Sequence, residues 1–179
     1  ELGGIELDLT SEEVFWTNGY CTETSRVTGK TTSERTQPGK QILDGVQATS
    51  YCRIRYTQGD DFKRAERQRT VLEQIVKKAQ TADLTTINKI IDKVFPMIET
   101  NFSLTEILAY AKDAFEYNLT EMSGFPFDKS TASLSGVGSS VVPETLQSNV
   151  LQLHEFFFGD DGYSPSSTVT VISSEIGSY

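Results

Sequence analysis

The chain has few of the residues from which metal and redox sites are built. Its 179 residues include two cysteines, Cys21 and Cys52, and one histidine, His154. The spacing of the two cysteines fits no metal motif, and no cluster of cysteine and histidine exists. Two alternatives remain for the thiols. They are either both buried, or joined in a structural disulfide, which we expect if the domain is extracellular.

Long apolar segments are also missing. No apolar run reaches the roughly 18–20 residues that span a bilayer, and the chain begins at Glu1 without a signal peptide. We expect Glu1 to be an experimental or processing boundary, so that any export signal or anchor lies outside this sequence.

Basic charge is scarce and concentrated in one place. The net charge is −9, which argues against a general nucleic-acid binder. Between Arg53 and Arg69, however, six basic residues stand against three acidic ones. A basic island in an acidic chain predicts a compact anionic ligand rather than a polyanion.

The first fifty residues contain one clear strand pattern. Apolar and polar residues alternate from Gly3 to Leu9, which predicts a short strand with one buried face. Residues 17–40 are rich in Thr, Ser, Gly and charge, which is typical of a long surface loop. The segment 41–50 predicts a short helical turn before the basic island.

Helical periodicity dominates after the basic island begins. Asp60 and Asp61 favour a helix start, and an apolar stripe at helical spacing follows through Ala79. The remaining pattern predicts three further helices: from Leu84 to near Pro96, from the capping box at Ser103 to about Phe115, and from Pro143 to Phe158. It also predicts strands at 122–127 and 168–172, with a loop at 128–140.

These elements predict an α/β fold in a single domain over residues 1–179, since 37% apolar and 23% charged residues are typical of a globular chain. We expect a mixed central β-sheet layered between helices in an α-β-α arrangement. Few strands are visible, so the sheet is expected to be incomplete on its N-terminal side.

The basic island can gather cations at one point. Arg53 and Arg55 are two residues apart, so in an extended segment they point to one face. On the following helix Asp61, Arg64 and Gln68 share a face near the N-terminus, where backbone N–H groups also favour an anion. Guanidinium forks match phosphate oxygens. The alternative is an ordinary solvated face whose arginines pair with neighbouring acids.

Three motifs resemble the LytR-CpsA-Psr family in order and spacing. Residues 51–55 (YCRIR) and 61–68 (DFKRAERQ) are similar to the family signature Y-x-R-x-R followed by D-F-x-R-x-x-R-Q. Residues 3–7 (GGIEL) resemble its G-G-[IV]-x-[VI] strand, and residues 43–48 (LDGVQA) resemble its L-D-G-x-x-A segment. The resemblance spans residues 3–68, and the rest of the chain is compatible with it.

The resemblance implies a cell-wall phosphotransferase. Members of this family move a glycopolymer, such as teichoic acid or capsule, from a polyprenyl-pyrophosphate carrier to peptidoglycan. They are anchored by an N-terminal membrane helix and act at the extracellular face of the cytoplasmic membrane, in the cell envelope of a Gram-positive bacterium. An apolar pocket for the lipid chain and a Mg²⁺ ion at the pyrophosphate are expected with them.

The resemblance also assigns roles to residues. Arg53, Arg55 and Arg64 would hold the pyrophosphate, and Gln68 would add a hydrogen bond. Asp61 would orient an arginine or assist proton transfer, and with Arg64 it forms the expected catalytic pair. Arg67 matches the signature as a further pyrophosphate ligand, although it points in a different direction on the helix from Arg64.

One departure from the family limits these expectations. The family's domain has an upstream half with further acidic and basic residues that help to hold Mg²⁺, and this chain begins at the G-G strand. We therefore hypothesise that the chain alone lacks full transferase activity, which measurable transfer by the isolated chain would refute. The alternatives are a polyprenyl-pyrophosphate phosphohydrolase and a non-catalytic module that binds lipid-linked wall precursors.

Overall fold

The computed structural model describes residues 1–57, 60–113, 116–160 and 162–177. These residues form two compact units, Glu1–Thr120 and Glu121–Tyr179. The first unit contains, in order, β1 (Ile5–Leu9), α1 (Ser11–Thr28), β2 (Gly39–Leu43), α2 (Gly45–Cys52), α3 (Asp60–Gln80), α4 (Leu84–Val94), a 3₁₀ turn (Phe95–Met97) and α5 (Leu104–Ala111). The second contains β3 (Lys129–Leu134), β4 (Gly138–Pro143), α6 (Leu146–Phe158) and α7 (Ser167–Ile176).

The predicted first strand is confirmed as β1. It pairs antiparallel with β2, with Ile5 opposite Leu43, and its alternate residues are buried. Gly4 directly precedes β1 with a φ of 90°, and a Cβ there would lie 2.6 Å from the carbonyl oxygen of Leu43. A side chain at this position would therefore push the two strands apart.

The loop predicted over residues 17–40 is wrong for its first half. Residues 11–28 form α1, which begins with a capping box between Thr10 and Glu13 and ends at Gly29 in the left-handed conformation. Its buried face consists of Val14, Thr17, Cys21 and Thr24. Half of that face is threonine, so the helical spacing carries almost no apolar signal.

The core of the first unit lies between the β1–β2 pair and the helices α1, α2 and α3. Its buried apolar residues are Ile5, Leu7, Leu9, Val14, Leu43, Ala48, Tyr51, Ile54 and Val71. Three of them, Ala48, Tyr51 and Ile54, come from α2 and the turn after it. The core therefore fixes the chain segment that carries the first arginines.

The helices predicted after the basic island are confirmed. α3 covers the predicted stripe, α4 ends before Pro96, and α5 begins at the capping box of Ser103 and Glu106. α3 begins at Asp60, so both aspartates lie in its first turn rather than before it. The predicted end of α5 at Phe115 falls outside the described residues.

The second unit corrects four predictions. The hairpin of β3 and β4 occupies most of the segment predicted as a loop, with its turn at Gly136 and Gly138, both at positive φ. The strand predicted at 122–127 is not among the described strands. The strand predicted at 168–172 lies in α7, whose first turn is capped by Ser166. The last predicted helix starts later, at Leu146, because Thr145 caps it and Pro143 ends β4.

The predicted α/β class is confirmed. The described strands pair as two separate antiparallel ribbons, β1 with β2 and β3 with β4, rather than as one mixed sheet between helices. A single domain over residues 1–179 stays a prediction. Among the described helices, none is both long enough and apolar enough to cross a bilayer.

Candidate functional site

The turn between α2 and α3 presents two arginines to solvent. Arg53 ends α2 in helical geometry, with φ −94° and ψ −9°, and its N–H bonds to the carbonyl oxygens of Ser50 and Tyr51. The extended conformation predicted for this residue is therefore wrong. Ile54 is fully buried, at 0% exposure. The buried Ile54 lies between Arg53 and Arg55 in the sequence. Both arginines still reach the same side of the turn, where they line one cleft.

The two arginines and the first turns of α3 enclose a cleft of about 330 Å³. Its lining includes Arg53, Arg55, Arg64 and Gln68, all predicted together from the sequence. The other lining residues are Tyr20, Cys52 and Tyr56. We call this the arginine cleft. Three guanidinium groups and an amide converging on one small volume provide many donors, and none of the described lining residues is a carboxylate.

Asp61 lies between two of the cleft arginines. Its Oδ1 atom accepts a hydrogen bond from Nε of Arg55 at 3.1 Å and forms an ion pair with Nη1 of Arg64, also at 3.1 Å. All three side chains are partly exposed, at 51%, 31% and 52% for Arg55, Arg64 and Asp61. In this position Asp61 can orient the guanidinium groups of Arg55 and Arg64 at the same time.

Arg53 is held from the α1 side. It donates to Glu23 at 2.6 Å and to the hydroxyl of Thr24 at 3.1 Å, and its guanidinium lies 5.3 Å from the centre of the Tyr20 ring. The cleft arginines thus number three against the two carboxylates of Glu23 and Asp61. Exposed ion pairs of this kind contribute about 0–1 kcal/mol, so an incoming phosphate can compete for the guanidinium groups.

Arg67 lies in the protein interior and is not among the cleft-lining residues. Its side chain is 7% exposed, and it donates to Glu13 at 3.0 Å and to the hydroxyl of Thr57 at 3.0 Å. A longer contact of 3.5 Å reaches the carbonyl oxygen of Ile54. The arginine predicted as a pyrophosphate ligand instead ties α1, α3 and the turn after α2 together.

The signature tyrosine belongs to the same buried group. Tyr51 is 6% exposed, and the guanidinium of Arg67 lies 5.8 Å from its ring centre. Burial, reinforced by the negative charge of Glu13, raises the pKa of Tyr51 to about 12. We call Tyr51, Arg67 and Glu13 the buried cluster.

Glu13 was missed by the sequence reasoning. It closes the capping box of α1 by accepting from the N–H of Thr10 at 3.0 Å, while its other oxygen accepts from Arg67. The spacing of Thr10 and Glu13 is a capping-box signal visible in the sequence. The buried ion pair across 54 residues was not visible, because no local pattern connects its partners.

Of the two alternatives for Cys21 and Cys52, the structure shows free thiols rather than a disulfide. Cys21 is buried on the face of α1 that packs on α2, where it is hydrogen-bonded to Ser50. Cys52 packs against the core and lines the arginine cleft. Burial raises the pKa of the Cys52 thiol to about 11, so the group near the cleft is a neutral thiol and not a nucleophilic thiolate at neutral pH.

The part of the chain that the structure describes offers no group of three or more His, Cys, Asp or Glu side chains placed to hold a metal ion. Mg²⁺ requires oxygen ligands in near-octahedral geometry. Asp61 is one carboxylate, and it is engaged by two arginines. The described residues therefore do not by themselves fit the Mg²⁺ site expected from the resemblance.

A second, apolar pocket of about 310 Å³ lies in the first unit. Its walls include Ile5 and Leu43 from the strand pair, Ile75 from α3, and Ile90 and Val94 from α4. Ile75 is eleven residues after Arg64 on α3, so both lie on nearly the same helix face. Ile75 lies about 10 Å along the helix axis from Gln68, at a rise of 1.5 Å per residue.

Comparison with known proteins finds curated transferases among the relatives of this chain. Of curated relatives, the polyisoprenyl-teichoic acid–peptidoglycan teichoic acid transferase TagV of Bacillus subtilis (strain 168) is 31% identical over 111 residues, which are 61% of this chain and 26% of TagV. TagU of Enterococcus faecalis (strain ATCC 700802 / V583), named as the same kind of transferase, is 38% identical over 77 residues, 42% of this chain and 25% of TagU. The aligned segments span about a quarter of the length of these relatives.

A solved structure gives the same fold. The crystal structure of B. subtilis TagV superposes with a TM-score of 0.58 at 21% identity, covering 92% of this chain and 59% of that one. The model of the LytR_cpsA_psr family matches residues 1–153, which include the arginine cleft and the buried cluster. The chain therefore belongs to the LytR_cpsA_psr family.

Proposed function

We propose that this chain carries the pyrophosphate-binding part of a transferase that moves a glycopolymer from a polyprenyl-pyrophosphate carrier to peptidoglycan. The observation that carries the proposal is the convergence of Arg53, Arg55 and Arg64 with Gln68 on one cleft. Family membership supports it, since TagV and TagU are named as transferases between polyisoprenyl-teichoic acid and peptidoglycan.

The proposed reaction is a phosphoryl transfer. A sugar hydroxyl of peptidoglycan attacks the phosphorus nearer the glycopolymer, and the bond from that phosphorus to the bridging oxygen breaks. Polyprenyl phosphate leaves, the hydroxyl proton passes to the departing phosphate or to water, and a phosphodiester joins the polymer to the acceptor. Negative charge grows on the bridging and equatorial oxygens, where fixed guanidinium groups stabilise it without a covalent intermediate.

Asp61 has a positioning role in this proposal. Its Oδ1 atom accepts from Arg55 and is ion-paired with Arg64, so it fixes the angle at which two guanidinium groups meet the phosphates. A carboxylate engaged in this way is poorly placed to take the hydroxyl proton. We therefore assign Asp61 to the orientation of the arginines, and Arg64 to charge stabilisation on the phosphates.

The apolar pocket supports a lipid-linked substrate. Gln68 lines the arginine cleft and Ile75 lines the apolar pocket, and the two residues share a face of α3. A ligand with a pyrophosphate on the arginines can extend its first prenyl units along this face. Polar phosphate and apolar chain would then be bound by the same helix.

Magnesium belongs to the proposal only as an expectation of the family. When bound, it would neutralise phosphate charge. The described residues do not provide its ligand set, so the steps above are assigned to this chain's arginines alone. We also propose that the protein acts at the outer face of the cytoplasmic membrane, where polyprenyl-linked wall precursors and peptidoglycan meet.

The test is a transfer assay with the whole protein, a lipid-linked polymer and a peptidoglycan acceptor. Arg53→Ala and Arg64→Ala should each lower transfer by about 100-fold or more, as the loss of a charge-stabilising donor does, while the fold is retained. Arg69→Ala, another arginine of the basic island outside the cleft lining, is the matched control. Wild-type transfer by either cleft variant would overturn the assignment. Release of inorganic phosphate without polymer joined to the acceptor would identify a phosphohydrolase.

A further inference from the structure

An aromatic surface adjoins the arginine cleft and has no part in the phosphate chemistry above. It consists of Trp16 and Tyr20 on α1 and Tyr56 after α2, and we call it the aromatic shelf. The ring centres of Trp16 and Tyr56 are 5.0 Å apart. Those of Tyr20 and Tyr56 are 6.5 Å apart, with their planes only 15° from parallel. The three rings thus form one contiguous aromatic cluster with Tyr56 in contact with both other rings.

The three rings of the aromatic shelf differ in burial. Trp16 and Tyr20 are partly buried and pack against the core of the first unit, whereas Tyr56 is 67% exposed. A large aromatic side chain held in contact with water by two anchored rings costs hydrophobic free energy. Such a surface is typical of a site that a ligand covers.

The shelf is continuous with the phosphate site. Tyr20 and Tyr56 line the same cleft as the three arginines. The guanidinium of Arg53 lies 5.3 Å from the centre of the Tyr20 ring. A ligand whose phosphates contact Arg53 therefore places the group attached to those phosphates on the aromatic rings.

The chemistry of the shelf suits a sugar better than a lipid chain. A pyranose ring has C–H bonds on its faces and hydroxyl groups around its rim. Tyrosine and tryptophan offer flat apolar faces with polar groups at their edges, so both features can be matched at once. The apolar pocket at Ile75 and Ile90, in contrast, offers mainly aliphatic side chains, and it matches a prenyl chain.

We propose that the aromatic shelf is a carbohydrate subsite, which binds the sugar attached directly to the pyrophosphate. The inference rests on the proposed function, since it places the phosphates on the arginines. It assigns Tyr56 as the residue that most affects which first sugar is accepted, because its ring is the most exposed of the three.

The experiment compares two soluble short-prenyl pyrophosphates of equal charge. One carries a methyl group on its distal phosphate and the other an N-acetylhexosamine. Trp16 is the only tryptophan of the chain, so its fluorescence reports binding at the shelf, and calorimetry gives an independent Kd. The measured quantity is the ratio of the two Kd values in each protein.

In the wild type the sugar should tighten binding by about tenfold, which is 1.4 kcal/mol. Tyr56→Ala should reduce this ratio to less than about twofold, whereas Tyr56→Phe, which keeps the ring, should retain most of it. Tyr110→Ala, at an exposed tyrosine of α5, should keep the wild-type ratio.

An equal ratio in the wild type and in Tyr56→Ala would overturn the subsite. So would a cyclohexyl ester that binds as tightly as the sugar, because it would show a merely apolar surface. Failure of the methyl ligand itself to bind would instead contradict the arginine site, and with it the proposed function. The two failures are therefore distinguishable in one set of titrations.

Discussion

Two groups of signature residues, similar in type, occupy opposite environments in this protein. The arginines of the arginine cleft are between 31% and 51% exposed, and their partners are surface carboxylates. Arg67 of the buried cluster is 7% exposed and paired with Glu13 at 14%. Arg64 and Arg67 are three residues apart on the same helix, yet one faces the cleft and the other the core. A shared motif therefore combines residues that contact ligand with residues that hold them in place.

The largest expected difference between the two groups is in stability. Arg67→Ala should lower the free energy of unfolding by about 3 kcal/mol, because it leaves the carboxylate of Glu13, which is 14% exposed, without its charged partner. Arg64→Ala on the same helix should lower it by less than about 1 kcal/mol. Urea unfolding of both variants measures the difference. Equal losses would remove the distinction between the two groups.

A smaller effect should appear at alkaline pH. In the unfolded chain Tyr51 loses its proton near pH 10, whereas burial beside Glu13 keeps it until about pH 12. The folded state therefore holds more protons between these values. The contribution of Tyr51 to stability is complete below pH 10 and is lost as the pH rises toward 12.

Tyr51→Phe should accordingly flatten the fall of unfolding free energy above pH 10. Denaturation midpoints measured from pH 8 to 11 give this slope. The exposed Tyr110→Phe serves as control and should keep the wild-type slope. A wild-type slope in Tyr51→Phe would contradict the buried position of this tyrosine.

The smallest expected effect concerns Cys52, which packs against the core and also lines the arginine cleft. Since burial raises the pKa of its thiol to about 11, its alkylation rate in the folded protein should rise with pH up to about that value. In urea the rise should occur near the ordinary thiol value of 9.0. Mass spectrometry resolves Cys52 from Cys21. Resistance of both residues to labelling until a reductant is added would show the disulfide that the structure lacks.

The arginine cleft was largely predictable from the sequence, and the buried cluster was not. Arg53, Arg55, Arg64 and Gln68 are close in sequence, so the sequence already placed them together, although Arg53 ends a helix rather than lying in an extended segment. Glu13 reaches Arg67 across 54 residues, and only tertiary packing joins them. Arg67 was predicted to bind the pyrophosphate together with Arg64. Only the packing of the core shows that Arg67 is buried while Arg64 faces the cleft.

Helices and strands were likewise predictable only where the sequence carries a clear apolar pattern. α3 and α4 have clear apolar stripes and were predicted, and β1 alternates cleanly. α1 buries threonines among its packing residues, so it resembled a loop. The β-branched residues 168–172 favoured a strand, yet the cap at Ser166 starts a helix there. Local capping thus outweighed intrinsic preference.

The most direct test of the account measures binding and stability together for Arg64→Ala and Arg67→Met. The ligand is a soluble short-prenyl pyrophosphate, and calorimetry gives its Kd below the unfolding range. Arg64→Ala should weaken binding by about tenfold or more while the unfolding midpoint is nearly unchanged. Arg67→Met should lower the midpoint and retain binding within about threefold while folded. Loss of binding in a stably folded Arg67→Met, with wild-type binding in Arg64→Ala, would contradict the account.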